Sequence, residues 1–174
     1  MRKALFLDRD GVVNIEVNYL YKIEDFIFIE GVFELCKYYQ DLGYMIFIVT
    51  NQSGIARGYY SEDDFHKLTL WMIEEFKRNG ISIEKVYFCP HHPDISALCS
   101  CRKPNSGMLL KARDEYNIDL ENSVLVGDKE SDIEAAIGAG MKESYLYDEK
   151  KVCNGSRATK IVSKLGEIYS VNTK

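Results

Sequence analysis

Residues 3–11 read Lys-Ala-Leu-Phe-Leu-Asp-Arg-Asp-Gly, and this stretch decides the fold. Its first five residues are a short, largely apolar run of the kind that forms a buried β-strand. Because side chains alternate along an extended segment, Asp8 and Asp10 can face the same way. Two carboxylates held that close need a cation or a shared proton. The strand end therefore predicts a metal-assisted reaction. The alternative is an ordinary polar strand-to-loop junction with Gly11 in a turn, which would show the same sequence.

The composition of the chain narrows the class of protein. Its 174 residues are close to the usual size of one domain, and 46% of them are hydrophobic, which is enough for a sizeable core. The formal charge of −5 and the lack of a basic stripe argue against nucleic-acid binding. No run of about 18 apolar residues is present to span a membrane. We therefore expect a single domain over residues 1–174, with no nucleic-acid or membrane partner.

The N-terminus and the cysteines bear on the compartment. The start, Met1-Arg2-Lys3, reaches Asp8 too soon for a signal peptide, so we expect a cytoplasmic protein. In that compartment the five cysteines are thiols or metal ligands rather than disulfides.

Apolar runs and amphipathic stretches alternate along the chain. After the strand at residues 3–7, we expect further strands and a series of helices. The strands are 44–49, 86–88, 124–126 and 145–147, and the helices are 32–42, 61–79, 106–116, 130–139 and 159–169. Such alternation implies an α/β fold, a three-layer Rossmann-like parallel sheet of about five strands with helices on both faces. We expect no linker that divides two domains and no large cap domain.

Polar residues follow two further predicted strands. Thr50-Asn51-Gln52-Ser53-Gly54 offers hydroxyl and amide donors next to a glycine, a set that can cradle a phosphate or simply form a loop with a helix N-cap. Gly127-Asp128-Lys129 puts an acid at a third strand end. Because the carboxyl ends of parallel strands share one edge of a sheet, these segments and Asp8 converge there if their strands are neighbours. Asp132 is either a partner of that site or an acid at a helix start, and the second interpretation is slightly favoured.

A cluster of cysteine and histidine lies between the third and fourth predicted strands. Three of the five cysteines and two of the three histidines fall within residues 89–101. Cys89, His91, Cys99 and Cys101 make a Cys₃His set, a common composition of closed structural zinc sites. We therefore expect Zn²⁺ in this zinc loop, with reduced surface thiols as the alternative. His92 is left over, and packing or a substrate contact would each account for it.

A basic pair, Arg102-Lys103, follows the cluster directly. A planar guanidinium and a compact ammonium both suit phosphate, whereas a lone basic pair is usually a solvated surface feature. The position of the pair favours the first interpretation, because a zinc site would fix the loop that presents it.

Taken together, these residues resemble the haloacid dehalogenase superfamily of aspartate-nucleophile phosphatases. The four superfamily motifs map onto Asp8-x-Asp10, Thr50, Lys103 and Gly127-Asp128. Within the superfamily the chain is most similar to the heptose-bisphosphate phosphatases, over about residues 4–140. The matching stretches are Phe6-Leu7-Asp8-Arg9-Asp10-Gly11, Thr50-Asn51-Gln52-Ser53-Gly54-Ile55-Ala56-Arg57-Gly58, Cys89-Pro90-His91-His92-Pro93, Cys101-Arg102-Lys103-Pro104, Gly107-Met108-Leu109-Leu110 and Val126-Gly127-Asp128-Lys129.

The resemblance implies a Mg²⁺-dependent phosphatase. It would remove the 7-phosphate of D-glycero-D-manno-heptose 1,7-bisphosphate through an aspartyl-phosphate intermediate, in the synthesis of nucleotide-activated heptose for surface polysaccharide such as lipopolysaccharide. One alternative is a histidinol-phosphate phosphatase, whose family shares the zinc loop but is less similar after Gln52. A remoter one is a phospho-ligand binding protein without turnover. The stretch between His91 and Cys99 is shorter than is typical of the heptose enzymes, and that loop helps to shape the substrate pocket.

The resemblance also implies a role for each site residue. Asp8 would be the nucleophile and Asp10 the general acid and base. Mg²⁺ would be held by the carboxylates of Asp8 and Asp128 and by the backbone carbonyl of Asp10. Thr50 and Lys103 would hold the phosphoryl oxygens, and Arg102 would bind the sugar or its second phosphate. Further substrate contacts would come from Glu16, Asn18, Tyr19, Asn51, Gln52, Ser53 and Lys129. The implied partner is a small sugar phosphate, bound by a monomer.

Overall fold

One parallel β-sheet lies at the centre of the structure. The computed structural model of the chain describes residues 1–170. The sheet consists of β1 (Ala4–Leu7), β2 (Met45–Asn51), β3 (Ile83–Cys89), β4 (Val124–Gly127), β5 (Glu143–Tyr147) and β6 (Lys160–Val162). Every neighbouring pair is parallel, and the order across the sheet is β3-β2-β1-β4-β5-β6.

Helices cover both faces of this sheet. They are α1 (Val32–Asp41), α2 (Ser53–Ala56), α3 (Glu62–Arg78), α4 (Gly107–Tyr116) and α5 (Glu130–Gly138). Buried residues of α1 and α3 pack with Leu5 and Leu7 on one face, and those of α4 and α5 pack with Ala4 and Phe6 on the other. The period of two along β1 therefore divides the interior into two apolar cores, one on each side of the sheet.

The position of β1 builds the candidate site. Its residues Ala-Leu-Phe-Leu are fully buried, as expected of a parallel strand covered on both faces. Because β1 lies between β2 and β4, the strand order reverses there, and ligands of open parallel sheets bind beyond the carboxyl ends of the strands at such a point. Asp8 follows β1 directly, and its backbone amide donates to the carbonyl of Val126 at 3.0 Å. Asp8 therefore lies at the switch point of the sheet.

The predicted three-layer α/β fold is confirmed, with two corrections. The sheet has six strands rather than about five. The helix predicted over 159–169 is wrong, because this segment forms β6 and a 3₁₀ turn at Leu165–Glu167. Ile161 and Val162 are β-branched, and pairing with β5 satisfies the backbone of this short edge strand. The sequence pattern also does not reveal α2, which is one turn long.

Two long connections adjoin the carboxyl edge of the sheet. Residues 8–31 join β1 to α1 and contain one 3₁₀ turn, Ile23–Asp25, and isolated pairings such as that of Asn14 with Phe28. Residues 90–106 join β3 to α4 without a helix or strand. Neither connection forms a large cap domain. None of the helices within residues 1–170 has the length and apolar character needed to cross a membrane.

Replacing Phe6 with alanine should destabilise the fold. Phe6 is fully buried, and its ring stacks on Phe47 with the centroids 5.3 Å apart. Truncating a buried aromatic residue leaves a cavity and costs about 3–5 kcal/mol, so urea titration should show a loss of that order in the free energy of unfolding. Leu70→Ala is the control, because Leu70 is 67% exposed on α3 and its truncation should cost under about 0.5 kcal/mol. Equal losses in the two variants would contradict this placement of Phe6.

Candidate active site

Asp8 is a buried acid beside the central strand. It is 7% exposed, and its Oδ1 accepts a hydrogen bond from Lys103 Nζ at 2.8 Å. Burial raises the pKa of the Asp8 carboxyl well above its usual range, and the Lys103 ammonium only partly opposes this effect. A carboxylate in this position is therefore costly to ionise without further positive charge.

Lys103 is the cation at the centre of the site. Its ammonium donates to Asp8 Oδ1 and to the backbone carbonyl of Val49, each at 2.8 Å, and lies 2.6 Å from Asp132 Oδ1. All three ammonium protons thus have an acceptor. Burial alone would lower the pKa of Lys103, but the carboxylates of Asp132 and Asp8 raise it. The buried side chain is therefore a permanent positive charge.

The acids around Lys103 outnumber it. Asp8, Asp128 and Asp132 place carboxylate oxygens within 4.8 Å of one another. Asp128 Oδ1 is buried and has no hydrogen-bond partner among residues 1–170, and burial raises the pKa of Asp128. An orphaned carboxylate oxygen in a cluster with excess negative charge fits a divalent cation that prefers oxygen ligands, such as Mg²⁺.

Gly11 lets the loop after β1 pass close to this cluster. Its φ is +93°, which L residues rarely adopt, and a Cβ at this position would lie 2.2 Å from Asp128 Oδ2. A side chain at residue 11 would therefore displace Asp128 from the cluster.

Asp10 is held by three donors and is not one of the clustered carboxylates. Its Oδ1 accepts from Arg9 Nη2 and from Asn14 Nδ2, and its Oδ2 accepts from Gln52 Nε2, each at 3.0 Å. Arg9 is 1% exposed and also donates to the carbonyl of Leu20 at 3.0 Å. Donors on both oxygens hold the carboxyl in one orientation.

Gln52 links Asp10 to Thr50. Its Nε2 also donates to Thr50 Oγ1 at 2.8 Å, and its Oε1 accepts a short hydrogen bond from the Tyr60 hydroxyl. Burial raises the pKa of Tyr60 to about 12, so the phenol keeps its proton and remains a donor. Gln52 is 2% exposed. Its amide is therefore engaged in orienting two predicted catalytic side chains rather than turned to a substrate.

Asn51 joins β2 to the segment that carries Lys103. Its Nδ2 donates to the backbone carbonyl of Lys103 at 3.1 Å, and its Oδ1 accepts from the backbone amide of Lys103 at 3.0 Å. This pair of bonds fixes the backbone from which the Lys103 side chain reaches Asp8.

The other predicted substrate residues surround this centre. Glu16 Oε2 lies 3.9 Å from Lys129 Nζ, which brings the connection 8–31 beside the start of α5. Tyr19 is 42% exposed, and its ring meets that of Tyr59 edge-on with the centroids 4.6 Å apart. Asn18 is exposed on the same connection. These side chains are available to a ligand above the carboxyl edge.

Arg102 and Ser53 adjoin the same edge from the other side. The Arg102 Nη1 donates to the carbonyl of His91 at 3.2 Å, which leaves further guanidinium protons for a ligand. Ser53 is the first residue of α2 and is half-buried.

The predicted zinc ligands converge in space. The Sγ atoms of Cys89, Cys99 and Cys101 and the Nδ1 of His91 lie within 4.8 Å of one another. The individual contacts among them range from 3.0 to 3.5 Å. A zinc ion with Zn–S bonds of about 2.3 Å would separate tetrahedral sulfur ligands by about 3.8 Å, so the observed set is the right size for one zinc ion.

One thiol of this cluster, that of Cys99, is shifted toward the thiolate form that zinc binds. Burial opposes ionisation of Cys99, but hydrogen bonds from the Cys101 thiol and from the backbone amide of Arg102 outweigh it and lower the pKa of Cys99 to about 6. Zinc binds thiolates, so a preformed thiolate favours binding. The cluster fits a closed structural site that ties β3 to residues 90–106.

The arrangement can carry out phosphoryl transfer. A carboxylate that could act as a nucleophile, a buried ammonium and a cluster of acids that could hold a divalent cation meet at one point, and a second carboxyl with its own donors stands two residues away. These are the parts that position a phosphoryl group and neutralise its charge. The hydroxyl of Thr50 adds a donor at the end of β2.

The sequence interpretation leaves the role of Asp132 open and does not identify Asn14 or Tyr60 as part of the site. Asp132 serves as both alternatives, since its Oδ2 accepts from the Lys129 backbone amide at the start of α5 while its Oδ1 faces Lys103. The spacing of four residues between Asp128 and Asp132 is the sequence feature that indicates this position. Asn14 and Tyr60 contact Asp10 and Gln52 only through folding of the loops, and no spacing in the sequence indicates those contacts.

Comparison with protein families agrees with this geometry. Residues 100–150, which include Lys103, Asp128 and Asp132, match a family model described as HAD-hydrolase-like. The chain also resembles the D-glycero-alpha-D-manno-heptose-1,7-bisphosphate 7-phosphatase of Campylobacter jejuni, at 54% identity over 149 residues, covering 86% of this chain and 84% of that protein. The D-glycero-beta-D-manno-heptose-1,7-bisphosphate 7-phosphatase of Haemophilus influenzae is 46% identical over 159 residues, covering 89% and 86% of the two chains.

Solved structures show the same likeness. The D,D-heptose 1,7-bisphosphate phosphatase of B. bronchiseptica, crystallised with magnesium and phosphate, superposes with a TM-score of 0.84 at 29% identity, over 95% of each chain. The names of the two relatives above refer to the α and β anomers of one sugar bisphosphate. The B. bronchiseptica structure contains magnesium, a metal that suits the carboxylate cluster of the present chain.

The carboxylate cluster predicts a pH-dependent response to Mg²⁺. The raised pKa of Asp8 and Asp128 means that the folded state holds their protons more tightly than the unfolded chain does. In Mg²⁺-free buffer, this contribution to stability should be present below about pH 4 and should be lost as the pH rises through the raised values. Urea titrations at pH 5 to 8 should therefore show that Asp128→Asn, which removes a buried charge, is more stable than the wild type by about 1 kcal/mol at neutral pH.

Added Mg²⁺ distinguishes a role of Asp128 as a metal ligand from a general effect of removing its charge. It should stabilise the wild type at neutral pH and stabilise Asp128→Asn much less. Equal stabilisation of both proteins would rule out Asp128 as a ligand.

Loss of one cluster cysteine should release zinc. Cys99→Ser removes a thiolate ligand, and removing a ligand of a four-coordinate site weakens metal binding and loosens the segment that carries Lys103. Metal analysis after gel filtration should find stoichiometric zinc in the wild type and much less in the variant. Cys153→Ser is the matched control, because the Cys153 thiol lies outside the cluster and donates to the Gly155 carbonyl. Full zinc content in Cys99→Ser, or zinc loss in the control, would contradict the assignment.

Proposed function

The chain belongs to the heptose-1,7-bisphosphate 7-phosphatase family of HAD-like hydrolases, and from this membership we propose that it removes the 7-phosphate of D-glycero-D-manno-heptose 1,7-bisphosphate. One observation carries the proposal. The carboxylate that follows the central strand, Asp8, is paired with the buried Lys103 ammonium and clustered with Asp128 at the switch point of the sheet. That combination supplies a nucleophile and the positive charge that a phosphoryl group needs.

In the first step, Asp8 attacks the phosphorus of the 7-phosphate. A bond forms between Asp8 and phosphorus as the bond from phosphorus to the sugar O7 breaks, and protonated Asp10 transfers its proton to O7. The products of this step are the sugar 1-phosphate and an aspartyl-phosphate. The positive charge of Lys103 and the Thr50 hydroxyl stabilise the phosphoryl oxygens as their charge spreads.

In the second step, water attacks the same phosphorus and Asp8 leaves. Asp10 accepts the proton of the water, so it ends the cycle protonated and ready for the next substrate. The donors from Arg9, Asn14 and Gln52 keep the Asp10 carboxyl aimed in one direction through both steps.

A divalent metal completes the charge balance. Asp8 and Asp128, together with the backbone carbonyl of Asp10, would hold Mg²⁺, which when bound offsets the negative charge between nucleophile and substrate and stabilises the transferring phosphoryl group. Asp132 forms an ion pair with the Lys103 ammonium. This ion pair would keep the ammonium in place beside Asp8.

The sugar is bound by side chains around the centre. We assign Glu16, Asn18, Tyr19 and Lys129 to the hydroxyl groups, and Arg102 to the sugar or its second phosphate. Ser53 would contact substrate at the start of α2. Asn51 and Gln52 belong to the same site through the positions they impose on Lys103, Asp10 and Thr50.

The zinc cluster has a structural role in this proposal. Cys89, His91, Cys99 and Cys101 would hold Zn²⁺, which when bound cross-links the residues that precede Arg102 and Lys103 to the end of β3. Removal of the zinc should weaken substrate binding, because the basic pair would no longer be fixed.

The setting follows from the same proposal. The protein would act as a cytoplasmic monomer, with residues 1–174 forming a single phosphatase domain. The last four of these residues lie outside the described part of the chain. The product of the proposed reaction would enter the synthesis of nucleotide-activated heptose for surface polysaccharide.

A substrate panel tests the proposal. Phosphate release should be measured with Mg²⁺ for the α and β anomers of D-glycero-D-manno-heptose 1,7-bisphosphate and for histidinol phosphate. One or both anomers should give the highest kcat/KM, and Asp8→Asn should lower it by at least about 10³-fold, because the nucleophile is lost. The variant should unfold at a urea concentration no lower than the wild type, since the substitution is isosteric. Preference for histidinol phosphate would overturn the substrate, and turnover by Asp8→Asn would overturn the nucleophile.

A further inference from the structure

The side chain of His92 faces two hydrogen-bond donors. The backbone amide of Asp94 donates to His92 Nδ1 at 3.2 Å, and Arg57 Nη2 lies 2.9 Å from His92 Nε2. The imidazole is 14% exposed, and its backbone is fixed by Ser96, whose Oγ accepts from the His92 amide at 2.8 Å. Both ring nitrogens are therefore approached by N–H groups in one well-defined position.

A neutral imidazole cannot satisfy both donors. One ring nitrogen carries a proton and only the other accepts, so whichever tautomer is present leaves one N–H facing another. If Nδ1 accepts from Asp94, then Nε2 carries its proton and points it at the Arg57 guanidinium, which has no acceptor atom. The contact between Arg57 and His92 thus lacks an acceptor oxygen.

The charge around this contact is also unbalanced. The ion pairs of arginine within residues 1–170 involve Arg9, Arg78 and Arg113, and none of them involves Arg57 or Arg102. Among residues 1–170, the ion contact of His92 is with Asp94, whose Oδ2 is 4.0 Å from Nδ1 on the other side of the ring, with its side chain 87% exposed. Two donors and an unpaired positive charge therefore face the same point, and an anionic oxygen is the group that satisfies both.

The contact adjoins the substrate residues. Arg57 follows α2 directly, and α2 begins just after Thr50 and Gln52 of the proposed centre. The Arg57 guanidinium also lies over the ring of Tyr19 at 5.8 Å. His92 follows His91, whose carbonyl accepts from Arg102. Arg57 and His92 thus bridge the two elements between which the sugar would lie.

We propose that Arg57 and His92 form an anion subsite for the 1-phosphate, the phosphate that remains on the sugar after the reaction. The proposal rests on the function proposed above, since it assigns the second phosphate of the same substrate. One phosphate oxygen accepts from Arg57 Nη2 and from the Nε2 proton of His92, while Nδ1 continues to accept from the Asp94 amide. Arg102, on the neighbouring backbone, then faces the sugar or an adjacent oxygen of the same phosphate. The subsite makes no bond that breaks in the reaction, so it acts on binding and on the choice of substrate.

The test compares the bisphosphate with D-glycero-D-manno-heptose 7-phosphate, which lacks the 1-phosphate. In Arg57→Gln and in His92→Gln, the ratio of kcat/KM for the bisphosphate to that for the 7-phosphate should fall about 10- to 100-fold, the range for loss of a charge-assisted hydrogen bond. The loss should appear mainly in KM, because the 1-phosphate is held alike in the ground and transition states. Product inhibition by heptose 1-phosphate should weaken by a similar factor. Inhibition by inorganic phosphate, which would bind at Asp8, should stay unchanged.

Controls separate this subsite from damage to the loop. Arg78→Gln removes an exposed arginine at the far end of α3, where it pairs with Glu75, and should keep the wild-type ratio. Zinc content should remain stoichiometric in His92→Gln, which shows that the adjacent cluster is intact. A ratio unchanged in both subsite variants, with wild-type protein active on the bisphosphate, would overturn the subsite alone. Failure of the wild type to hydrolyse either anomer of the bisphosphate would overturn the proposed function instead.

Discussion

Three carboxylates around one buried ammonium set the constraint on which the rest of the site depends. Lys103 satisfies its three protons with Asp8, Asp132 and the carbonyl of Val49, so it cannot leave without stranding a buried charge. Asp128 is left with an orphaned oxygen and excess negative charge. A further cation therefore stabilises the ionised site, and this preference fits the Mg²⁺ dependence proposed above.

Lys103 reaches the site from a part of the chain that is distant in sequence from Asp8. It is 95 residues from Asp8 in sequence and lies in residues 90–106, which contain no helix or strand. Two devices replace regular structure there. Asn51 binds both backbone groups of Lys103, and the Cys₃His cluster gathers residues 89–101 into one compact loop. In the proposed function, zinc bound by this cluster would support the chemistry without touching the substrate, by fixing the residues that precede the basic pair.

The sequence predicts the parts of the site that obey a local rule. Asp8, Thr50 and Asp128 follow parallel strands, and the rule that such ends share one edge brings them together correctly. The Cys₃His set is picked out by residue type and count, and its four side chains converge in the structure. The helix expected over 159–169 fails because pairing with β5 outweighs a weak helical pattern. The orienting contacts of Gln52 and Tyr60 depend on how loops fold over the edge, and no spacing encodes them. What sequence alone misses are the residues that aim the catalytic groups, since their partners are distant along the chain.

Trapping a phosphoryl-enzyme would show directly whether Asp8 is the nucleophile. The wild-type protein with Mg²⁺ and the bisphosphate should be quenched in acid within one turnover, and the peptides should be mapped by mass spectrometry. The account predicts a phosphoryl group on Asp8, at a level that rises and falls with phosphate release. Asp10→Asn should slow both the formation and the loss of this species, because Asp10 protonates the leaving sugar oxygen in the first step and accepts the proton of water in the second. A phosphoryl group on another residue, or none while phosphate is released at the full rate, would contradict the account.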